Sequence, residues 1–196
     1  MKRTHHARVV AMILLAELGV GSCAASGLRV SDVPSVPLIA PDGTTVDAAY
    51  FAKRSPETVL IFFSSHCHCL DAHQGRIIAL FDEFHRRGVE FAMIDSEVGA
   101  SIARDNIESQ RRGYAFPILL DRGAKLADAL GAEYATYSVV IDSRGRVRYR
   151  GGLDSDKMHL HDDAQQFVRS ALDDLLAGRS VRVPEGKTLG CALERW

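Results

Sequence analysis

The sequence predicts an α/β domain in which helices flank a central mixed sheet, with a small hairpin at its N-terminal end. Three observations lead there. Val59-Leu60-Ile61-Phe62-Phe63 and Val89 to Ile94 are continuous apolar runs, as expected of strands buried on both faces. Between them Ile77, Phe81 and Phe84 recur at helical spacing. Near the end a two-strand pattern around Asp142-Ser143-Arg144-Gly145 is followed by one amphipathic helix.

The elements follow in order. Leu38-Ile39-Ala40 and Thr44-Thr45-Val46 flank the turn signal Pro41-Asp42-Gly43, which predicts the small hairpin. After the first buried strand, Ile78 and Leu80 widen the helical stripe, and Gly88 stops the helix at about Arg87. The second buried strand ends at Asp95. Ala100 to about Arg112 reads as a surface helix closed by Gly113. Pro117 to Leu120 is a short strand with Asp121-Arg122-Gly123 as its turn. Lys125 to Leu130 is a short helix ended by Gly131. Val139-Val140-Ile141 pairs with Val147-Arg148-Tyr149. Phe167, Ala171, Leu172, Leu175 and Leu176 form the last helix, stopped by Gly178. The order after the hairpin is β-α-β-α-β-α-β-β-α.

With 196 residues, 46% of them hydrophobic, the chain suits one domain with a sizeable core. A formal net charge of -1 gives no basic field for nucleic acid. Residues 1–23 read as an export signal. Lys2, Arg3 and Arg8 form a positive start, and Val9 to Val20 is an apolar run too short to span a membrane. The run leads into Val20-Gly21-Ser22-Cys23, which resembles the lipobox of bacterial lipoproteins, with Cys23 as the lipidated residue. Residues 24–35 then form a polar linker, and 36–196 the folded domain. The expected location is the bacterial cell envelope, on the periplasmic side, with the lipid anchor as the only membrane contact.

His66-Cys67-His68-Cys69 carries the chemistry. It falls directly after a buried strand and directly before a helix, so the thiols sit at a helix N-terminus. Partial positive charge and unpaired N–H groups there favour thiolate. Cys67, first in the turn, is expected to be the more exposed thiol, with a pKa below the free value of about 8.5. Cys69 can resolve it, although a Cys-x-Cys disulfide closes a strained small ring. Cys191 is a third thiol beside Gly190, able to pair with either. Asp71 suits the helix dipole but opposes a low thiol pKa, so its orientation matters. His66, His68 and His73 add a Cys/His-rich tract of the kind that binds copper or zinc, with Cys67, Cys69 and these histidines as candidate ligands. Met158-His159-Leu160-His161 is a second soft-ligand cluster, read as a solvated loop.

Several shorter matches accompany that turn: Phe62-Phe63 before it, His73 on the helix, Phe116-Pro117 with Asp121, Ile141-Asp142 with Gly145, Tyr149-Arg150-Gly151-Gly152, and Gly190-Cys191. In this order they resemble the thioredoxin fold. More closely they resemble the redoxin group of thiol-specific antioxidant proteins and periplasmic thioredoxin-like lipoproteins, from about Val33 to the C-terminus. The resemblance implies a three-layer fold and thiol–disulfide oxidoreduction. Cys67 would attack and Cys69 or Cys191 resolve, with a partner protein, dithiol or peroxide as co-substrate. It implies a monomer and no organic cofactor. Two positions depart from the family pattern. His68 stands where proline is usual. Tyr137 follows Thr136 where a cis-proline is usual, and a non-proline cis bond costs about 2.5–4 kcal/mol, so Tyr137 is expected to be trans. That proline helps keep metals off the thiols, so its absence leaves room for copper or zinc. A peroxiredoxin-like peroxidase is the enzymatic alternative: Ser64 matches its motif three residues before Cys67, whereas Leu60 occupies its proline position.

Overall fold

A computed structural model describes residues 32–195. The expected signal segment, Cys23 and most of the linker lie outside the described residues. A seven-stranded mixed sheet runs in the order β2-β1-β5-β4-β3-β6-β7. Its strands are β1 (Leu38–Ile39), β2 (Thr45–Val46), β3 (Glu57–Phe63), β4 (Glu90–Asp95), β5 (Ile118–Leu120), β6 (Ser138–Asp142) and β7 (Val147–Gly151). The helices are α1 (Ala48–Ala52), α2 (His68–His85), α3 (Ile102–Arg112), α4 (Lys125–Leu130) and α5 (Phe167–Leu176).

β3 is the axis of the molecule. All seven of its residues are buried. It runs parallel to β4, from Thr58 opposite Glu90 to Phe63 opposite Asp95, and antiparallel to β6. This explains the unbroken apolar run: a strand covered on both faces has no solvent side on which to place polar residues. α2 buries Leu70, Ile77, Leu80, Phe81 and Phe84. Phe81 meets Phe91 and Phe116 at ring-centroid distances of 5.5 and 4.9 Å, joining α2 to β4 and the lead-in to β5. Burial of each such side chain contributes about 1.5–3 kcal/mol.

The local signals act as expected. Ser101 caps α3 by accepting from the Arg104 N–H, and Gly113 closes it with φ 68°. Asp121 accepts the N–H groups of Leu126 and Ala127 at the start of α4 and the Ser96 hydroxyl at 2.8 Å.

Two features differ from expectation. α1 is an additional short helix, capped by Asp47, which accepts the Tyr50 N–H at 2.8 Å. Ordered structure already includes residues 32–35, read from sequence as linker, because the buried Val33 donates its N–H to Gly145 at 2.7 Å. The last helix, by contrast, spans Phe167–Leu176 as expected, after the Met158–His161 loop. No helix among the described residues is long and apolar enough to cross a membrane.

Candidate redox site at the start of the second helix

β3 delivers the chain to Ser64 at the C-terminal edge of the sheet. The turn Ser64-Ser65-His66 reverses it, and Cys67 becomes the N-cap of α2. The Cys67 sulfur accepts the Leu70 N–H at 3.3 Å, taking the place a serine or aspartate oxygen usually fills. Cys69 lies in the first turn. Both cysteines are buried.

Cys191 arrives from the other end of the chain. The segment after α5 runs back along the sheet edge, and the Arg150 N–H donates to Pro184 at 3.0 Å. It then crosses the Gly151-Gly152 corner. A Cβ on Gly151 would stand 2.1 Å from the Gly186 carbonyl oxygen, and one on Gly152 2.5 Å from that of Lys187. Further on, the segment pairs with residues 133–135. Ala135 N–H donates to Cys191 and Leu193 N–H to Glu133, each at 2.9 Å. A Cβ on Gly190 would sit 2.0 Å from the Ala135 carbonyl oxygen, so only glycine permits this approach. The tail is pinned beyond the cysteine as well, by Leu193 in the core and by Val98 N–H donating to Glu194 at 2.7 Å.

The result is a cluster of three thiols. The sulfurs of Cys67, Cys69 and Cys191 all lie within 4.8 Å of one another, and those of Cys69 and Cys191 are 3.7 Å apart. All three cysteines are free.

Their acidities run opposite to expectation. Cys67 was expected to be exposed and acidic. It is instead fully buried, and burial, reinforced by the hydrogen bond it gives to Cys191, pushes its thiol up to about 12. Cys69 is pushed up for the same two reasons. Cys191 is lowered: burial opposes this, but hydrogen bonding with the Cys67 and Cys69 thiols and with the backbone of Cys69 and His68 outweighs it. Cys191, half-buried, is therefore the one of the three whose acidity is shifted toward the thiolate rather than away from it.

The histidines separate. His66 and His68 are exposed, and His68 keeps 82% of its side chain in solvent. Neither joins the sulfur cluster. His73 is buried, and both ring nitrogens are engaged: Nδ1 with the Cys69 carbonyl at 2.7 Å, Nε2 with Asp154 at 3.0 Å. A carbonyl and a carboxylate accept, so the two bonds are made together by the protonated ring, which they favour. Its pKa is raised accordingly; desolvation works against this, and the bonds to Asp154 and Cys69 prevail. None of the three histidines groups with the three sulfurs: His66 and His68 are exposed, and His73 is held by Asp154 and the Cys69 carbonyl.

Asp154, Arg76 and Arg112, which the sequence did not single out, complete the site with residues it did. Asp154 also accepts from Arg76 at 2.7 Å, and Arg76 bridges on to Asp156 at 2.8 Å. Arg112 is buried at the end of α3 and pairs with Asp71 at 2.6 Å and Glu108 at 3.0 Å. Asp71 is therefore tied to Arg112, which offsets its charge. Thr136 adopts φ 72°, a conformation that costs a β-branched residue roughly 1–2 kcal/mol. Its N–H donates to Phe62 at 2.9 Å. No cis peptide occurs among the described residues, so Tyr137 is trans. Ser64 hydrogen-bonds Glu97, whose carboxyl burial pushes up.

A thioredoxin-like α/β sheet with thiols at the N-terminus of the helix after its central strand defines a class of redox protein. The family model Redoxin matches residues 29–166, and the chain belongs to that family. Solved structures agree. An uncharacterized conserved protein of Geobacillus kaustophilus is 26% identical, with TM-score 0.76 over 84% of this chain and 90% of that one. A hypothetical protein of Sinorhizobium meliloti 1021 is 22% identical, with TM-score 0.75 over 84% and 92%. The thioredoxin domain of a thiol-disulfide oxidoreductase from Bacteroides vulgatus is 12% identical, with TM-score 0.51 over 61% and 85%. No curated protein sequence matches the chain significantly.

Proposed function

We propose that this redoxin is a thiol–disulfide oxidoreductase of the cell envelope whose working unit is the trio Cys67, Cys69 and Cys191. The observation that carries the proposal is the 3.7 Å gap between the Cys69 and Cys191 sulfurs at a helix N-terminus. Cys191 is partly accessible and the most acidic of the three, so it attacks first. Its thiolate displaces one sulfur of a partner disulfide, giving a mixed disulfide and a partner thiolate that takes a proton from water. Cys69 then loses its proton and attacks the Cys191 sulfur. The second partner thiol leaves, and a Cys69–Cys191 disulfide remains. The partner disulfide has gained two electrons and the protein dithiol has lost two. Cys67 can next attack Cys69, passing the bond to Cys67–Cys69 and freeing Cys191. A dithiol protein restores the reduced state, and no organic cofactor takes part.

This sequence of attack differs from the one in which Cys67 leads. The burial of Cys67 is the reason, and it also favours exchange over the peroxidase alternative, which asks for an acidic Cys67 thiolate. Export and lipidation at Cys23 belong to the same proposal, supported by the signal-like pattern of residues 1–23, and it takes the protein to act as a monomer.

Turnover of a small protein disulfide with a dithiol reductant tests the reading. Cys69→Ser should trap a mixed disulfide on Cys191 and abolish turnover, and Cys191→Ser should lower the first-step rate at least tenfold. Unchanged turnover in both variants would refute it.

A further inference from the structure

The three sulfurs are arranged as ligands as well as reactants. Cys67 and Cys69 come from the first turn of α2 and Cys191 from the tail, and their sulfurs lie within 4.8 Å of one another. A single ion with metal–sulfur bonds of about 2.3 Å holds three sulfurs in a plane about 4 Å apart. The spacing in the protein is close to that triangle, and the 3.7 Å Cys69–Cys191 edge already matches it. We infer that the reduced protein binds one cuprous ion through Cys67, Cys69 and Cys191.

The donor set selects the metal. Thiolates are soft ligands, which favour Cu(I) and Zn(II) over magnesium, calcium or manganese. Number then separates the first two. Structural zinc sites are almost always closed by four ligands. Among the described residues no histidine or carboxylate joins the three sulfurs. His73 cannot turn a nitrogen toward them without giving up Asp154 or the Cys69 carbonyl. The singly charged cuprous ion is satisfied by three thiolates, so the three sulfurs complete a copper site, whereas zinc would need a water or another fourth ligand.

The surroundings supply charge to match. Three thiolates and one Cu(I) carry two net negative charges. The N-terminus of α2 presents its unpaired N–H groups to them, and the Leu70 N–H already points at the Cys67 sulfur. Lys157 acts on Cys69 from the neighbouring loop. Binding releases the thiol protons to solvent and moves no electron. Gly190 is essential to the geometry, since any side chain there would lift Cys191 away from Ala135 and open the triangle.

Copper and the disulfide exclude each other. A Cys69–Cys191 bond removes two ligands, so the ion can be held only by the reduced protein. The site needs reduced thiols but not exchange activity, so the copper inference stands or falls apart from the proposed function.

The test is an anaerobic titration of the reduced full chain with Cu(I) against a colorimetric cuprous chelator, with X-ray absorption on the loaded sample. We expect one copper per chain, coordinated by three sulfurs and no nitrogen. Cys191→Ser should weaken binding by more than the roughly 10–100-fold that loss of an outer hydrogen-bond partner produces. His66→Ala with His68→Ala should leave affinity unchanged. Two-sulfur or nitrogen-containing coordination in the unmutated chain would overturn the inference, whatever the folding of the variants. So would full affinity in Cys191→Ser, or no competition with the chelator.

Discussion

The turn that carries Cys67 and Cys69 and the tail that carries Cys191 deliver sulfur to one point by different means. The turn is local: a buried strand ends, three residues reverse the chain, and the next residue caps a helix. The tail is held by distant backbone, with Ala135 and Glu133 pairing to it and glycines allowing the close crossings. The difference sets the chemistry. A helix N-terminus alone should make Cys67 acidic. The tail covers Cys67, removes water from it and so raises its pKa, while that of Cys191 is lowered. In the proposed scheme, thiol acidity is set by what lies over the turn more than by the turn itself.

Removing the tail should have the largest effect. Gly190→Val pushes a side chain into the Ala135 carbonyl and should detach residues 190–195. We expect Cys67 alkylation at pH 7 to speed up at least tenfold while α2 and the sheet persist by circular dichroism. Unchanged Cys67 reactivity would mean the tail is not its cover.

His73→Ala, on the turn side, comes next. It leaves the buried Asp154 with Arg76 as its remaining charged partner and should cost about 2–3 kcal/mol in urea unfolding. A cost within about 0.5 kcal/mol would place the pair among incidental contacts.

The same pair predicts a pH window. His73 is raised above 6.5, so its contribution is fully present below that pH and lost as pH rises through the folded value. Asp154 is lowered below 3.8, so its contribution is present above that pH and lost as pH falls through its folded value. Stability from this contact should be highest between the two, and His73→Gln should flatten the alkaline decline. An identical alkaline slope in His73→Gln would remove the imidazolium from the account.

The smallest expected difference lies within the trio. At neutral pH, limiting iodoacetamide should label Cys191 before Cys69 and Cys67, in keeping with its lowered pKa. Preferential labelling of Cys67 would restore the order expected from the turn alone.

What the sequence made legible follows the same division. The run Val59 to Phe63, the helix after it and the two hairpins are local patterns, and each forms where expected. The Cys-x-Cys turn was found for the same reason. α1 escaped because five residues show no period, although Asp47 ahead of Ala48 was a usable cap signal. Arg112 looked like the polar end of a surface helix. Its burial depends on Asp71, 41 positions earlier, which no spacing rule connects to it. Asp154 lies 81 positions from His73. Gly151, Gly152 and Gly190 were visible as motif fragments, yet their common purpose, letting the tail lie against the domain, appears only when distant segments are side by side.

The central claim is that Cys191 belongs to the reactive site. Peptide mapping of the chain after oxidation with one equivalent of a thiol oxidant tests it most directly. The account predicts a Cys69–Cys191 disulfide as the first product, with Cys67 still free. A first product of Cys67–Cys69, with Cys191 alkylatable throughout, would contradict it.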